Sequence, residues 1–586
     1  MSREPAHAQT TARKPRLSIQ WREWSKDSFE EARDSNRLVL LDLSAEWCHW
    51  CHVMDDTTYS DAEVIRTVNE RFVPVRVDID KRPDISERYA RGGFPTTAFL
   101  SDQGEPIWGA TYVPPEDMKR ILKTVLAGQQ SGEIAEALER ARMQCLDISK
   151  TFEKDELVDS EFVDAVFEDI FASYDVQWGG FGTAPKFPHA EAVDLLIERY
   201  AQTNDAEIRN AISTTLDHMT DGLFDTVEGG VFRYSVKRDW KLPHYEKMLD
   251  TNLGFLRNLA RAYKILGQDR YRTTAHGVGS YILGTLRDRK TGAFFSSQDA
   301  DEEYYKLERD FRLGRLAPRV IEDVYSGLNC RSVSVLIEAG TVLGVEDWVQ
   351  AATKAWKIAT RDHLNPEKGI VNHMAGVELF LFEDQVDFLE ALLAVAETQA
   401  GDEQERTIKL GEGLVRGVEG AFSHPEGGYG DVRKEDGAIG RLAQPERSIV
   451  GNSRWARNLA LFGAASHNTA RNQEALSILE SFNPRGVQAS GLFASEYVRA
   501  WDVLRLGVRR VEIHNVEGDL SKNALWMAAK RTLNPAAVVM AASGKHAKHE
   551  RSRTFAVICG DRSCSKEILE PDELVSQLTT TSPGQI

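Results

Sequence analysis

The sequence predicts a multidomain chain of mixed class: an N-terminal α/β unit, a central all-α closed (α/α)6 toroid and a small C-terminal α/β segment. Three observations carry this reading. Strand-like apolar runs cluster near the N-terminus, long amphipathic stretches fill the middle, and a glycine-plus-apolar turn recurs six times among them. At about 150 residues per domain, 586 residues leave room for three or four domains.

In the first unit, 37–45 (RLVLLDLSA) and 72–80 (FVPVRVDID) read as strands, with helical spacing from Cys48 to about Glu70 between them. Residues 96–100 and 107–113 form a hairpin around Ser101-Asp102-Gln103-Gly104, and 114–128 opens on prolines and ends in Gly, as a closing helix does. The unit is placed at 19–130, after a flexible N-terminus at 1–18 and before a linker at 131–158. The toroid is assigned to 159–506. Its turns are Gly179-Gly180-Phe181-Gly182, Gly229-Gly230-Val231-Phe232 and Gly292-Ala293-Phe294-Phe295, with looser echoes at Gly369-Ile370, Gly427-Gly428-Tyr429 and Gly491-Leu492. Six helical hairpins sharing one core would gather these turns on one face. A small appendage (507–578) returns to strand character, and 579–586 reads as a mobile tail.

Composition narrows the function. A net charge of −18 disfavours nucleic-acid and anionic-membrane partners, and no apolar run reaches the roughly 18 residues that span a bilayer. Residues 1–18 lack an apolar segment of the secretory kind, so the expected location is cytoplasmic. No cofactor or metal is expected.

Trp47-Cys48-His49-Trp50-Cys51 follows a strand and opens a helix. The amides and dipole of a helix start favour a thiolate at Cys48, a protonated His49 would add to that, and Cys51 one turn later is placed to resolve a mixed disulfide. A proline at Pro95, after Gly93-Phe94, suits a cis turn beside the cysteines. Zinc binding by Cys48, His49, Cys51 and His52 is the alternative, though four ligands within five residues are hard to arrange tetrahedrally; a redox-silent docking module is another.

The unit resembles a thioredoxin fold, with Pro95 at that fold's cis-proline position. The longer string from Cys48 to Met54 resembles the thioredoxin-domain proteins related to spermatogenesis-associated protein 20. That resemblance runs from about residue 20 to 575. It implies an (α/α)6 barrel of the six-hairpin glycosidase and N-acylglucosamine 2-epimerase type. The chain departs from the family pattern at Gln298, where an acid is usual, at Asp250, where an aromatic is usual, and in an abbreviated lead-in to the first strand.

The glycine turns are dense in polar and aromatic residues, which a packing turn does not need. His244 and Glu246 form a candidate proton-transfer pair, and Asp299 and Asp301 a candidate acid and base, with helix capping as the simpler role for an Asp-Ala-Asp turn. Trp178, Lys186, Phe187, Arg233, Tyr234, Trp240, Lys247 and Asn452 are the candidate substrate-binding residues, and His49, Trp50, His52 and Pro95 support the redox site. Glu383 and Asp384 read as first-turn helix acids, and Cys559 and Cys564 as two buried structural thiols. The expected function is an enzyme acting on a small polar, carbohydrate-like substrate by acid/base chemistry, with possible thiol–disulfide exchange at Cys48 and Cys51 on a disulfide client or thiol reductant. The alternative is a non-catalytic barrel with a redox or docking module.

Overall fold

The computed structural model describes residues 18–148, 158–434, 438–516, 519–542, 553–560 and 563–579, so the expected flexible N-terminus and tail lie almost wholly outside the described residues. The chain divides into two compact units: 1–152 together with 437–443, and 153–436 together with 444–586.

In the first unit, α1 (Lys26–Asp34) leads into β1 (Leu38–Ser44), whose side chains are buried on both faces up to Ser44, as the unbroken apolar run requires. The expected single helix after Cys48 is two, α2 (His49–Asp56) and α3 (Ala62–Arg71). Asp61 breaks the run by capping α3 through its side chain. β2 (Phe72–Asp78), α4 (Pro83–Tyr89), β3 (Thr96–Leu100), β4 (Pro106–Ala110), α5 (Pro115–Ser131) and α6 (Glu133–Ile148) follow. The sheet order is β2-β1-β3-β4, with β1 parallel to β2 and the other two pairings antiparallel. This is a thioredoxin-like sheet. Leu40, Phe72, Phe99, Met118 and Leu122 form part of its core. Residues 133–148, where a linker was expected, are helical, and Gly132 ends the preceding helix with φ near +83°.

The second unit is a ring. Outer and inner helices alternate: α7 (Ser160–Ala172), α8 (Ala190–Thr203), α9 (Ala206–Leu223), α10 (Leu249–Leu266) and α11 (Asp269–Gly284). A long loop with short α12 (Glu302–Tyr305) and α13 (Arg309–Arg312) precedes α14 (Ser326–Leu343) and α15 (Glu346–Ile358). Then come α16 (Phe382–Ala396), α17 (Gly401–Phe422), α18 (Ile449–Ala465), α19 (Ala470–Glu480), the short α20 (Pro484–Ala489) and α21 (Ser495–Leu506). Each inner helix packs on the next, in the order α8, α10, α14, α16, α18, α21, and α21 packs back on α8. Each also carries an outer partner, α21 taking α7. The ring therefore closes as an (α/α)6 toroid, and every loop entering an inner helix lies at the same end.

Four of those loops are pinned by one device. The fourth residue of an inner helix is an amide side chain that accepts from, and donates to, the backbone of the apolar residue in the preceding glycine turn. Asn252 holds Val231 (2.8 and 3.1 Å), Asn329 holds Phe294 (2.8 and 3.0 Å), Gln385 holds Val371 (2.8 Å twice) and Asn452 holds Tyr429 (2.8 and 2.9 Å). All four amides are buried, so these bonds satisfy backbone groups that water cannot reach. The turns must be tight to meet them. At Gly230, with φ near +76°, an added Cβ would enter the Tyr281 ring.

The axis of the ring is filled with charge. Asp194 pairs with Arg257 (2.7 Å), Arg257 with Glu390 (3.5 Å) and Glu390 with Arg457 (3.8 Å). Arg457 pairs with Glu496 (2.8 Å), Glu496 with Arg499 (2.6 Å), and Arg499 returns to Asp194 (3.7 Å). Arg261 of α10 adds Glu338 of α14 at 2.7 Å, so all six inner helices contribute.

The loops of the ring carry the two-residue strands β5 (Tyr234–Ser235), β6 (Pro243–His244), β7 (Lys247–Met248), β8 (Ser297–Gln298), β9 (Val320–Ile321), β10 (Leu364–Asn365) and β11 (Ile370–Val371). After the ring, β12 (Arg509–His514), α22 (Ala524–Arg531), β13 (Ala537–Ala541), β14 (Phe555–Cys559) and α23 (Pro571–Thr579) form a small sheet of order β13-β12-β14 and its helices. Trp526 is buried and donates to the Glu397 carbonyl at the C-terminal end of α16 (2.8 Å). Cys559 and Cys564 are not separate thiols: a bridge between their backbones at the end of β14 aligns them, and they form a disulfide. Cys330 is a buried free thiol.

Removing one member of the axial circuit leaves its buried partners uncompensated. Glu496→Ala leaves Arg457 and Arg499 short of a carboxylate, and the expected loss of stability is about 3–5 kcal/mol, read from the denaturant midpoint of the helical transition.

Candidate functional site

Two places carry chemistry. The first is the start of α2. Cys48 occupies the N-cap, its sulfur accepts the Cys51 N–H (3.2 Å), and the two cysteines form a disulfide. Both are nearly inaccessible, at 4% and 3% exposure, whereas Trp50 between them is 46% exposed and lies against Tyr112. His49 and His52 are exposed, His49 packing edge-on to Trp50. Trp47 is buried and donates to Asp80 (2.6 Å). The Phe94–Pro95 peptide is cis, as the turn before β3 suggested. No group of three or more His, Cys, Asp or Glu suited to a metal occurs among the described residues.

Sequence reasoning missed Asp42, six residues before Cys48 in the middle of β1. It is buried, takes Arg76 (2.7 Å) and lies near the Tyr59 hydroxyl (3.3 Å). Loss of solvent pushes its carboxyl up to about 6, more than Arg76 pulls it down. Only a single acidic letter in an apolar strand marked it.

The second place is the glycine-turn end of the ring. A two-residue ladder pairs Tyr234 with His244, and Lys247–Met248 pairs with Ser297–Gln298, so the second and third turns are joined. Phe187, Tyr234 and His244 stack in series, with ring centres 4.5 Å apart at each step. The Arg233 guanidinium lies 5.7 Å from the Tyr234 ring centre. Nδ1 of His244 is 3.5 Å from Oε2 of Glu246, a buried oxygen without a hydrogen-bond partner among the described residues. These residues meet at the glycine-turn end of the ring.

Other expected contacts serve the turns themselves. Lys186 is buried and ion-paired to Asp175 (2.6 Å), and Lys247 repeats the arrangement one hairpin later with Asp225 (2.7 Å) among Phe232, Tyr281 and Tyr305. Trp240 is fully buried against Gly180 and Gly222, where any Cβ would collide with it, and donates to the Trp178 carbonyl (2.9 Å). Trp178 faces outward to His218 on outer helix α9. Asn452 pins Tyr429, and both its ends are used there. Asp301 caps α12 through the Tyr304 N–H (2.9 Å), the simpler of its two expected roles. Asp299 accepts from the Ala300 N–H (2.7 Å), and Gln298 bridges Tyr281 and the Pro318 carbonyl.

The floor of this end was also missed. Arg331 on α14 pairs with Asp387 (3.4 Å) and feels Glu191 and Asp250 from the first turns of α8 and α10. Glu383 stands beside Arg454 (3.7 Å) with a side chain still 36% exposed. Burial raises its carboxyl above the ordinary range, against the pull of Arg454. Charged residues one turn into apolar inner helices were the available signal.

The family model described as "Protein of unknown function, DUF255", under the heading Thioredox_DsbH, matches residues 6–154. "Uncharacterized protein B0495.5" of Caenorhabditis elegans is 31% identical over 48% of this chain and 41% of its own length. Spermatogenesis-associated protein 20 of Homo sapiens is 30% identical over 48% of this chain and 39% of its own length. The matched stretch thus spans about two fifths of these relatives. Among solved structures, a sugar epimerase from a ruminal bacterium overlaps 54% of this chain and 85% of its own at 11% identity and a TM-score of 0.44. The ring described above rests on this chain's own helix contacts.

An aspartate held above its unfolded value of 3.8 binds its proton more tightly in the folded state. Its contribution to stability is full below that pH and is lost as the pH rises through about 6. Asp42→Asn, which cannot ionise, is expected to stabilise β1 at pH 8 by on the order of 2 kcal/mol relative to the parent chain, with the gap shrinking at pH 4. Hydrogen exchange of the β1 amides measures it.

With the cysteine pair, the cis-proline turn and the buried aspartate in place, the N-terminal unit is a thioredoxin-like domain that matches the DUF255 family over residues 6–154, in a chain similar to spermatogenesis-associated protein 20.

Proposed function

We propose that the N-terminal domain performs thiol–disulfide exchange through Cys48 and Cys51. The observation that carries this reading is the disulfide itself, at the start of α2 with its N-cap sulfur bonded to the Cys51 amide. In the reduced domain, the Cys48 thiolate attacks a client disulfide and releases one client thiolate. The Cys51 thiolate then displaces the second client sulfur and closes the Cys48–Cys51 bond. A thiol reductant restores the pair, taking up the oxidation. Asp42, buried on the preceding strand with a value near 6, suits proton acceptance from the resolving thiol. Exposed Trp50, packed on half-buried Tyr112, offers an apolar platform for the client.

The glycine-turn end of the ring is read as the binding site for a small polar, carbohydrate-like ligand. The Phe187–Tyr234–His244 stack provides aromatic faces for the apolar side of such a ligand, and Arg233, Glu246 and Glu383 supply polar contacts. His244 with Glu246 is the candidate proton-transfer pair, and Glu383, inclined to hold its proton, a candidate acid. The axial ion pairs favour the second reading, a non-catalytic binding ring, because they fill the space beneath and confine a ligand to the loops.

In the thiol assay, Cys48→Ser abolishes reduction of insulin disulfides, and Cys51→Ser accumulates the mixed disulfide. Alkylation of Cys48 in the reduced chain inflects below the free-thiol value of about 8.5. An inflection at or above that value removes the exchange reading.

At the ring, mono- and disaccharides are expected to raise the melting temperature of the parent chain but not of His244→Ala or Glu246→Gln, whose folds stay intact. Turnover of a sugar that both variants lose supports the enzyme. A melting shift without turnover supports the binding ring.

A further inference from the structure

At the end of the ring opposite the glycine turns, the C-terminal ends of α10, α14 and α16 meet α22 and β13 around a cavity of about 190 Å³. Nine of the residues that line it are charged. Arg261, Arg457, Arg499, Lys264 and Lys530 face Glu198, Glu338, Glu390 and Glu397.

Four of the five cations are matched: Arg261 with Glu338 (2.7 Å), Arg457 with Glu496 (2.8 Å), Arg499 with Glu198 (2.6 Å) and Lys530 with Glu397 (2.7 Å). Lys264 is the exception. Among the described residues its ammonium has one hydrogen bond, to the Lys530 carbonyl (2.9 Å), and no carboxylate within 4.0 Å. Glu338 and Glu397 act on it from a distance, and Arg261 and Lys530 repel it. The rest of the wall mixes an apolar stretch, including Ile337, Leu393 and Leu533, with uncharged polar residues such as Ser334 and Asn458.

We infer that this cavity binds a small carboxylate anion with a short apolar chain, its carboxylate on the Lys264 ammonium and its chain against the apolar wall. The volume is on the scale of the roughly 150 Å³ apolar cavity that takes up benzene, a ligand of six non-hydrogen atoms. An inorganic oxyanion would leave the apolar wall unused. The local field has the matching sign. Burial pushes Lys264 down to about 7, while the neighbouring arginines hold Glu338 and Glu390 below the ordinary range despite their burial. The lining itself carries five cations against four carboxylates. The inference is independent of the site at the glycine turns, which lies at the other end of the ring.

The test uses the full chain with butyrate as the probe, and butyramide and sulfate as controls at matched ionic strength. At pH 6 the ammonium is charged, and butyrate is expected to give a saturable rise in melting temperature and a binding isotherm, with neither control doing so. In Lys264→Met the butyrate effect disappears. Should that variant fail to fold, the parent chain still decides. Affinity falls about tenfold or more between pH 6 and pH 9 as Lys264 loses its proton, and near pH 8 binding takes up a proton, seen as a calorimetric enthalpy that varies with the buffer. No saturable butyrate binding at pH 6, equal effects of butyramide or sulfate, persistence in Lys264→Met, or pH-independent affinity each overturns the proposal.

Discussion

Closing six helices into a ring leaves an axial space that must be filled, and here guanidinium–carboxylate pairs fill it. The circuit from Asp194 through Arg257, Glu390, Arg457, Glu496 and Arg499 returns to Asp194, so each buried charge is answered by a neighbour from another helix. Such pairs gain little over an apolar core, because desolvating the charges offsets their attraction. What they impose is registry. A helix that slips along its axis breaks two pairings at once and leaves both buried partners uncompensated. Everything else in the toroid depends on that axial match.

The two ends of the ring are built differently as a consequence. At the glycine-turn end, buried amides on four inner helices hold tight turns against the helix starts. The first two turns add a buried lysine–aspartate pair each. This repeated bracing spends Lys186, Lys247, Trp240 and Asn452 on architecture, beside the Phe187–Tyr234–His244 stack and the unbonded Glu246 oxygen described above. At the other end the appendage covers the helix C-termini, with Trp526 and Lys530 both tied to Glu397. That cover encloses polar wall, and among the described residues one ammonium in it, that of Lys264, has no carboxylate within 4.0 Å.

The thioredoxin-like domain follows a more local logic. A strand, a cysteine at the helix cap and a second cysteine one turn later are contiguous in the chain, so the disulfide is set by α-helical spacing. Asp42 lies only six residues away, yet its effect comes from burial between β2 and β3, which no local spacing expresses.

The sequence by itself determined the class of each segment, the alternation of helices, the glycine turns and the Cys48–Cys51 pair, because periodicity, capping and turn chemistry act over a few residues. It also marked His244, Glu246, Phe187 and Tyr234 as neighbours, since they sit in two adjoining turns. Tertiary structure alone decided the rest. Whether a lysine in a turn meets a ligand or an aspartate eleven residues away depends on which way a closed loop folds. Glu383, an apparent first-turn acid, became part of a site floor because α18 brings Arg454 beside it. Cys559 and Cys564 became a disulfide because the chain turns back after β14. The charged axis was least legible of all: its residues are scattered charged letters on separate helices, two of them on α21, and only closure of the ring turns the inner helices to face one another.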